Sequence, residues 1–590
     1  MCTTWLRGVA VASMLLTWGC TSNSNRGGKG GSGGSAGSGG SGQGGVADGG
    51  PTSSGGTTLA SGGTTPSPSG GNTGPGGATA VNGGTTSTSG GGSQATGGRT
   101  GGATDSGGTS GTAGATQANT GGLKTGGSAG AVGGRIGTGG VTGVGGVAGG
   151  ATGAGGASGG ATGVDGGTGP GVTVLLDKTH QTIEGFGIND TWAEKAVPSA
   201  AFSTTAADGI GLSILRIGMS DQGSDYTSSI FSTDIATAKA AGGKIIGSCW
   251  SPPASCKTNN TVNNGGHLKP DCYESWATTI ATFAKSHGLY AMSPQSEPDY
   301  ASCFPDTCSG GGYPTTLFSA EEIVAFVKVV GPKLRALDPP VQVITPETSE
   351  WLHLWTNDSA SGSPNPLSGK YDYGHALAKD AEAWAQVDIL GTHQYDTLVA
   401  EPWPSDVPQT KPVWMTEVAG IRGWPEAGPS SDIKNGVAVA GWIHSALVVG
   451  EASAWLWWWY APQSSGTNDN EGLVLQGSTA WTKRYYTLGN YSKFVRPGYV
   501  RVDVAGSYST DVLLSAYRHA DGTVVIVAIN KGSEPATVSI AISGGTAPAS
   551  LTPWVTSASD NLKSGTALSV SGGSFTATLA SLTVTTFVGK

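Results

Sequence analysis

From residue 172 onward the chain switches between short, almost uninterrupted apolar runs and longer segments of helical period. Apolar runs occupy 181–187, 213–217, 244–250, 290–295, 341–345, 387–393, 412–417 and 454–459. Runs this short, with little polar alternation, are those of parallel strands covered on both faces. Amphipathic helical patterns separate several of them, at 276–285, 320–337 and 437–449, and Ser319-Ala-Glu-Glu322 fits a capping box at the start of the second. Eight strands alternating with helices predict a closed (β/α)8 barrel over 172–490, its units from 181 to 490 averaging about 39 residues. After residue 490 the period drops to two, with runs at 512–517, 523–530, 536–542 and 574–588 separated in part by Gly-Gly and Asp-Gly turns. That pattern predicts an antiparallel β-sandwich over 491–590, which the early run 172–176 is expected to join.

Two of the barrel runs end on a glutamate. In Tyr290-Ala-Met-Ser-Pro-Gln-Ser-Glu-Pro-Asp-Tyr300 the proline after Glu297 cannot donate to a ladder, so the strand is expected to stop there with the carboxylate at its C-terminal tip. Lys411-Pro-Val-Trp-Met-Thr-Glu417 ends in the same way. The 120 residues between them amount to about three βα units, which puts them on strands four and seven, across the mouth where such barrels carry their chemistry. Two carboxylates at one mouth equip a site for glycoside hydrolysis, one protonating the leaving oxygen and the other attacking or activating water. Eighteen tryptophans and fifteen tyrosines, several at or just after strand ends, offer flat faces for a pyranose ring. Trp457 is expected to be core. His267, Lys269 and His393 are not grouped with a Ser or Cys, so nothing supports a nucleophilic triad.

Composition sets the rest of the chain apart. Residues 21–171 are Gly, Ser, Thr and Ala with almost no large apolar side chain, too little to offset the entropy of ordering. They are expected to form a disordered tether that adds nothing to fold or chemistry. Their Gly-x-Gly matches follow no strand, so they cradle no phosphate. Residues 1–20 carry Arg7, an apolar run at 9–16 and Cys20, the pattern of an export signal too short to span a bilayer. Gly19-Cys20 resembles a lipoprotein cleavage site with Thr17 in place of the usual Leu, which makes a lipid anchor at Cys20 the alternative to free secretion. A net charge of −9 without a basic run excludes the footprint of a nucleic-acid binder. Five cysteines remain beyond the signal, none with zinc spacing to a His, so neither metal nor cofactor is expected. In an exported chain Cys303 is expected to pair with Cys308 and Cys256 with Cys272, leaving Cys249 as the odd thiol.

The sequence from 171 to 590 resembles glycoside hydrolase family 30, and within it the xylanases. The likeness rests on Ile183-Glu-Gly-Phe-Gly187, Leu215-Arg-Ile217, Trp250-Ser-Pro-Pro253, Ser293-Pro-Gln-Ser-Glu-Pro-Asp299, Asp388-Ile-Leu-Gly-Thr-His-Gln-Tyr395, Val413-Trp-Met-Thr-Glu417 and the long Tyr491-Ser-Lys-Phe-Val-Arg-Pro-Gly-Tyr-Val-Arg-Val-Asp503. It implies retaining hydrolysis of β-1,4-xylan, with Glu297 as acid/base and Glu417 as nucleophile; a monomer is expected. Trp250, Tyr395, Trp458 and Trp459 match positions lining the central sugar subsite, and Arg216 one that supports the carboxylates. Two departures stand out. Ser296 replaces the Asn that usually precedes the acid/base and bonds the sugar 2-hydroxyl. The stretch Tyr460-Ala-Pro-Gln-Ser-Ser-Gly466 lacks the Arg found in xylanases that require a glucuronic acid branch, so dependence on that branch is not expected. Arg484 is the cation that would undo this if it folded back into the site. The alternatives are another activity of the family (β-1,6-glucanase or galactanase, β-xylosidase, glucosylceramidase) or a non-catalytic polysaccharide-binding protein at a surface.

Overall fold

The computed structural model describes residues 171–590, except 227, 302–311, 358–369, 396–398, 400–401, 421–431, 462–470, 476–477 and 507, and the side chains of 228 and 229. The expected signal, nearly all of the tether, the Cys303–Cys308 pair and most of the 460–466 stretch lie outside the described residues. Among the described residues no helix is long and apolar enough to cross a membrane.

After a first strand β1 (Val172–Thr182) come eight strands in parallel: β2 (Gly185–Asn189), β3 (Ile214–Met219), β4 (Lys244–Cys249), β5 (Ala291–Ser293), β6 (Gln342–Val343), β7 (Leu390–His393), β8 (Val413–Glu417) and β9 (Ala452–Trp459). They order as β6-β5-β4-β3-β2-β9-β8-β7. Parallel bridges Ile344–Ile389 and Thr348–Thr392 join the two ends and close the ring. Ile214, Ile246, Ala291, Ile344, Ile389, Trp414, Ala454 and Leu456 form one buried cluster drawn from around the ring. Two residues beyond Ile214 and Ile246, on the same strand faces, stand Arg216 and Ser248, also buried. The interior thus turns from apolar to polar towards the C-terminal mouth, as a period of two in each strand requires.

The predicted helices are Tyr273–His287, Ala320–Arg335 and Ile433–Val448, and the second opens with the reciprocal Ser319/Glu322 capping box. One expectation is corrected at β5, which stops at Ser293 rather than at Glu297. Pro294, without an N–H, already ends the ladder there. Glu297 instead occupies a turn with left-handed backbone, φ 49°.

The C-terminal strands are β10 (Val500–Ala505), β11 (Val512–Arg518), β12 (Val524–Asn530), β13 (Ala536–Ser543), β14 (Ser550–Thr556), the two-residue β15 (Lys563–Ser564) and β16 (Leu568–Ser569), then β17 (Ser574–Leu579) and β18 (Thr583–Gly589). Phe575 on the edge strand β17 meets Phe587 of β18 with ring centroids 5.4 Å apart, so the sheet folds over one apolar core. The early strand joins this sheet, between β10 and β13. Its pairing with β13 is parallel, which corrects the purely antiparallel expectation. Antiparallel neighbours follow from hairpins, and β1 enters from the chain's other end with no hairpin to dictate its direction.

Candidate active site

Arg216 of β3 is the hub of the mouth. Its Nε donates to Glu347 Oε1 at 3.0 Å and its Nη1 to Glu417 Oε2 at 2.7 Å. Nη2 donates to Ser248 Oγ at 3.2 Å and Ser296 Oγ at 3.1 Å. All five side chains are buried, so each charge is compensated by fixed partners rather than by water. Tyr395 O–H donates to the other oxygen of Glu417, Oε1, at 2.8 Å. Both oxygens of that carboxylate are therefore held in one orientation. Burial alone would raise the pKa of Glu347, but the Arg216 charge together with His393 and Ser248 holds it down at about 2.

Glu297 stands on a turn fixed from both sides. Its N–H donates to Glu347 O at 2.9 Å, and its O accepts from Tyr300 N–H at 3.1 Å. A non-glycine residue in the left-handed region costs about 1–3 kcal/mol and is kept only where its surroundings dictate it. His393 Nδ1 lies 3.0 Å from Glu297 Oε1 and 3.7 Å from Glu417 Oε1. One oxygen from each glutamate and a nitrogen of His393 fall within 4.8 Å of one another. Burial, joined by the charges of Glu417 and Asp299, pushes the Glu297 carboxyl above its usual range, against the hydrogen bond from His393. Burial pulls His393 down, but the surrounding carboxylates outweigh it and raise the imidazole to about 10. Asp299, two residues on, is clamped by Ser349 N–H and Oγ and by His353, which hold its carboxylate low in spite of burial.

Beside these carboxylates Trp250, Trp458, Trp459 and Ala419 form a compact cluster with Trp192, Tyr226 and Tyr395 packed on it. The Arg216 guanidinium carbon lies 4.7 Å from the Trp250 ring centroid. Trp459 is pinned by its Nε1–H to Thr191 O at 2.6 Å. Trp192 takes a left-handed backbone, φ 58°, and its ring lies 5.4 Å from Trp250 and 6.1 Å from Trp458. The eight residues singled out from the sequence (Glu297, Glu417, Arg216, Ser296, Tyr395, Trp250, Trp458 and Trp459) all meet here.

The family model of the glycosyl hydrolase family 30 beta sandwich domain matches residues 498–587. Glucuronoxylanase XynC of Bacillus subtilis strain 168 is 33% identical over 445 residues, covering 71% of this chain and 91% of the relative. The chain belongs to glycoside hydrolase family 30. Its fold is shared with the solved family 30 subfamily 8 xylanase Xyn30A of Clostridium acetobutylicum, at TM-score 0.58, 29% identity and coverage of 71% of this chain and 99% of that one. A family 30 endoxylanase from Clostridium papyrosolvens C71 matches at TM-score 0.57 and 28% identity, covering 71% of this chain and 100% of that one.

Within this family 30 site, sequence reasoning passed over Glu347 and His393. Glu347 follows a strand only two residues long and becomes visible as a third carboxylate tip only once the ring is closed. His393 was set aside for want of a Ser or Cys, whereas its partners are carboxylates. Ser296 Oγ is engaged by Arg216, so the residue in the usual Asn position belongs to the charge network. Arg484 does not reach the mouth. It is fully buried, its guanidinium carbon 5.2 Å from the ring of Trp457. Trp457 is core, as expected, and stacks outward on Trp442 of a covering helix with centroids 6.5 Å apart. Glu297, His393 and Glu417 could in principle ligate a metal, but the glutamate oxygens already accept from Arg216, Tyr395 and His393. Cys256 and Cys272 lie at disulfide distance, S–S 2.07 Å, and Cys249 is a free buried thiol that burial pushes well above its ordinary pKa. Closing a loop of sequence separation 16 restricts the unfolded chain by about 3 kcal/mol. A Cys256→Ser/Cys272→Ser variant is therefore expected to lose about 2–4 kcal/mol in urea unfolding, while Cys249→Ala leaves thiol mapping of the pair unchanged.

Proposed function

We propose that this chain is an exported, monomeric, retaining endo-β-1,4-xylanase that does not depend on glucuronic acid branches. The observation that carries the reading is the pair of buried glutamates at the barrel mouth with oxygens within 4.8 Å. Retaining enzymes keep their carboxyls about 5–5.5 Å apart, and inverting ones about 6.5–9.5 Å, to admit a water. The surroundings of the two glutamates support the assignment of roles. Burial and the charges of Glu417 and Asp299 raise the pKa of Glu297, the direction an acid/base needs, while Arg216 and Tyr395 hold Glu417 in one orientation.

In the first step Glu417 attacks the anomeric carbon as the bond to the glycosidic oxygen breaks, and the Glu297 proton passes to that oxygen. In the second, water attacks the same carbon, its proton goes to the Glu297 carboxylate, and the bond to Glu417 breaks. The double inversion retains configuration. Arg216 and Tyr395 hold Glu417 for in-line attack, which is a contribution of positioning as much as of charge.

The xylan reading draws on the xylanases this chain is similar to. It departs from the glucuronoxylanase named among them because 460–466 contains no cation, and Arg484 is buried under Trp457. Losing a charge-assisted grip on a uronate typically costs two to three decades of discrimination. The test is hydrolysis of glucuronoxylan, arabinoxylan, linear xylo-oligosaccharides and β-1,6-glucan, with product sizes and anomeric configuration recorded. Rates on the xylans are expected to agree within about tenfold, with β-configured products. A glucuronoxylan preference above about a hundredfold overturns the branch reading, and inverted products overturn the mechanism. Cleavage of β-1,6-glucan but of no xylan overturns the substrate. Export itself is checked by fractionation of the producing cell, with palmitate labelling to detect lipid at Cys20.

A further inference from the structure

The double-displacement reading fixes the two sides of the scissile bond. Glu417 faces the anomeric carbon and Glu297 the glycosidic oxygen, so the departing chain must leave the site past Glu297. Beyond Glu297 stand two tyrosines. Tyr313 O–H points to Glu297 Oε2 at 3.4 Å, and Tyr300 lies on the turn that Glu297 itself begins. Their rings are nearly parallel, 23° apart with centroids at 6.4 Å. They are also the two large apolar side chains exposed among the described residues, at 39% for Tyr300 and 37% for Tyr313. By contrast Trp250, Trp458 and Trp459 are buried. Tyr313 continues that cluster outward through an edge contact with Trp192 at 6.1 Å.

The chain next to both tyrosines is tied down by hydrogen bonds. Phe318 N–H donates to Pro298 O at 2.8 Å, and Lys257, itself buried, donates through Nζ to Thr315 O and to Val262 O. A pair of nearly parallel, exposed aromatic faces abutting a proton donor has the chemistry of a platform for the apolar face of a neutral pyranose.

We infer that Tyr300 and Tyr313 form the leaving-group platform, stacking the β-linked pyranose that departs as Glu297 protonates the bond. This rests on the proposed roles of Glu297 and Glu417. It makes the two tyrosines specificity residues for the chain on the departing side, separate from the sugar held over Glu417.

The experiment compares two substrates in each variant: xylohexaose, whose leaving group is a saccharide, and xylobiosyl fluoride of the β configuration, whose fluoride is too small to touch the platform. Tyr300→Ala and Tyr313→Ala are each expected to lower kcat/KM on xylohexaose about tenfold relative to the fluoride, and to shift its cleavage products towards different lengths. Tyr313→Phe keeps the ring and is expected to change both substrates in the same proportion. Equal losses on both substrates in the alanine variants, or no loss on xylohexaose, would overturn the platform. A parent that cleaves the corresponding gluco-oligosaccharide instead corrects the sugar and leaves the comparison to be made with that series. A parent inactive on every oligosaccharide and glycosyl fluoride removes the catalytic reading and the platform with it.

Discussion

Glu417→Gln is expected to lower kcat by at least about 10⁴-fold on xylan and on aryl glycosides alike, because no covalent intermediate can form without the attacking carboxylate. The amide keeps the size of the side chain, and its oxygen still accepts from Arg216 or Tyr395, so the melting temperature is expected to move by only a few degrees. Glu417→Ala is different. It strips a buried guanidinium of one of its two carboxylate partners, a change that typically costs about 3–5 kcal/mol. Comparing the two variants by turnover and by thermal unfolding separates chemistry from scaffold. A 2-deoxy-2-fluoro glycoside, which slows breakdown of the intermediate, should label the parent on the peptide containing Glu417. Label on another carboxylate, or activity of the Gln variant within a hundredfold of the parent, contradicts the assignment.

Glu297→Ala is expected to separate substrates by leaving group. General acid catalysis contributes about 10²–10⁴-fold, so hydrolysis of xylan should fall by that factor. Formation of the intermediate from a dinitrophenyl glycoside, which needs no proton, should continue near the parent rate and give a burst followed by slow turnover. The pH profile carries the same information. An ordinary glutamate has lost its proton by about pH 5, but burial and the charges of Glu417 and Asp299 raise Glu297 and keep it protonated further up the scale. The alkaline limb of kcat/KM on xylan should report that group, since activity is lost as pH rises through its pKa. In the Ala variant the limb should vanish for the dinitrophenyl substrate. A limb that persists unchanged assigns the acid to a different residue.

How much of this was legible in the sequence varied with the range of the interaction. Glu297 and Glu417 could be found because a strand tip is a local feature, marked by an apolar run and, for one of them, a proline. The turn that holds Glu297 was misread, since Pro294 rather than Pro298 stops the strand, and a left-handed glutamate has no local signature. Arg216 looked like one more residue in a buried strand. Its function depends on Glu347 and Glu417, 131 and 201 residues away, and only the family resemblance drew attention to it. Tyr313 sat in a long polar loop with nothing to distinguish it until the chain brought it back beside Glu297. The helices and the capping box, which depend on neighbours three and four residues apart, came out close to their observed positions.

The position of β1 bears on how this enzyme could be cut or recombined. The family's sandwich region at 498–587 omits that strand, yet β1 lies in the middle of the sheet, antiparallel to β10 on one side and parallel to β13 on the other. A piece starting at residue 491 would therefore carry a split sheet with two bare strand edges, the kind that recruit other chains. On the barrel side, His180 at the end of the same strand bridges Glu451 and Asp503, so a cut there would also break the junction. A chimera that swaps the sandwich must therefore take β1, residues 172–182, from the same parent as residues 491–590.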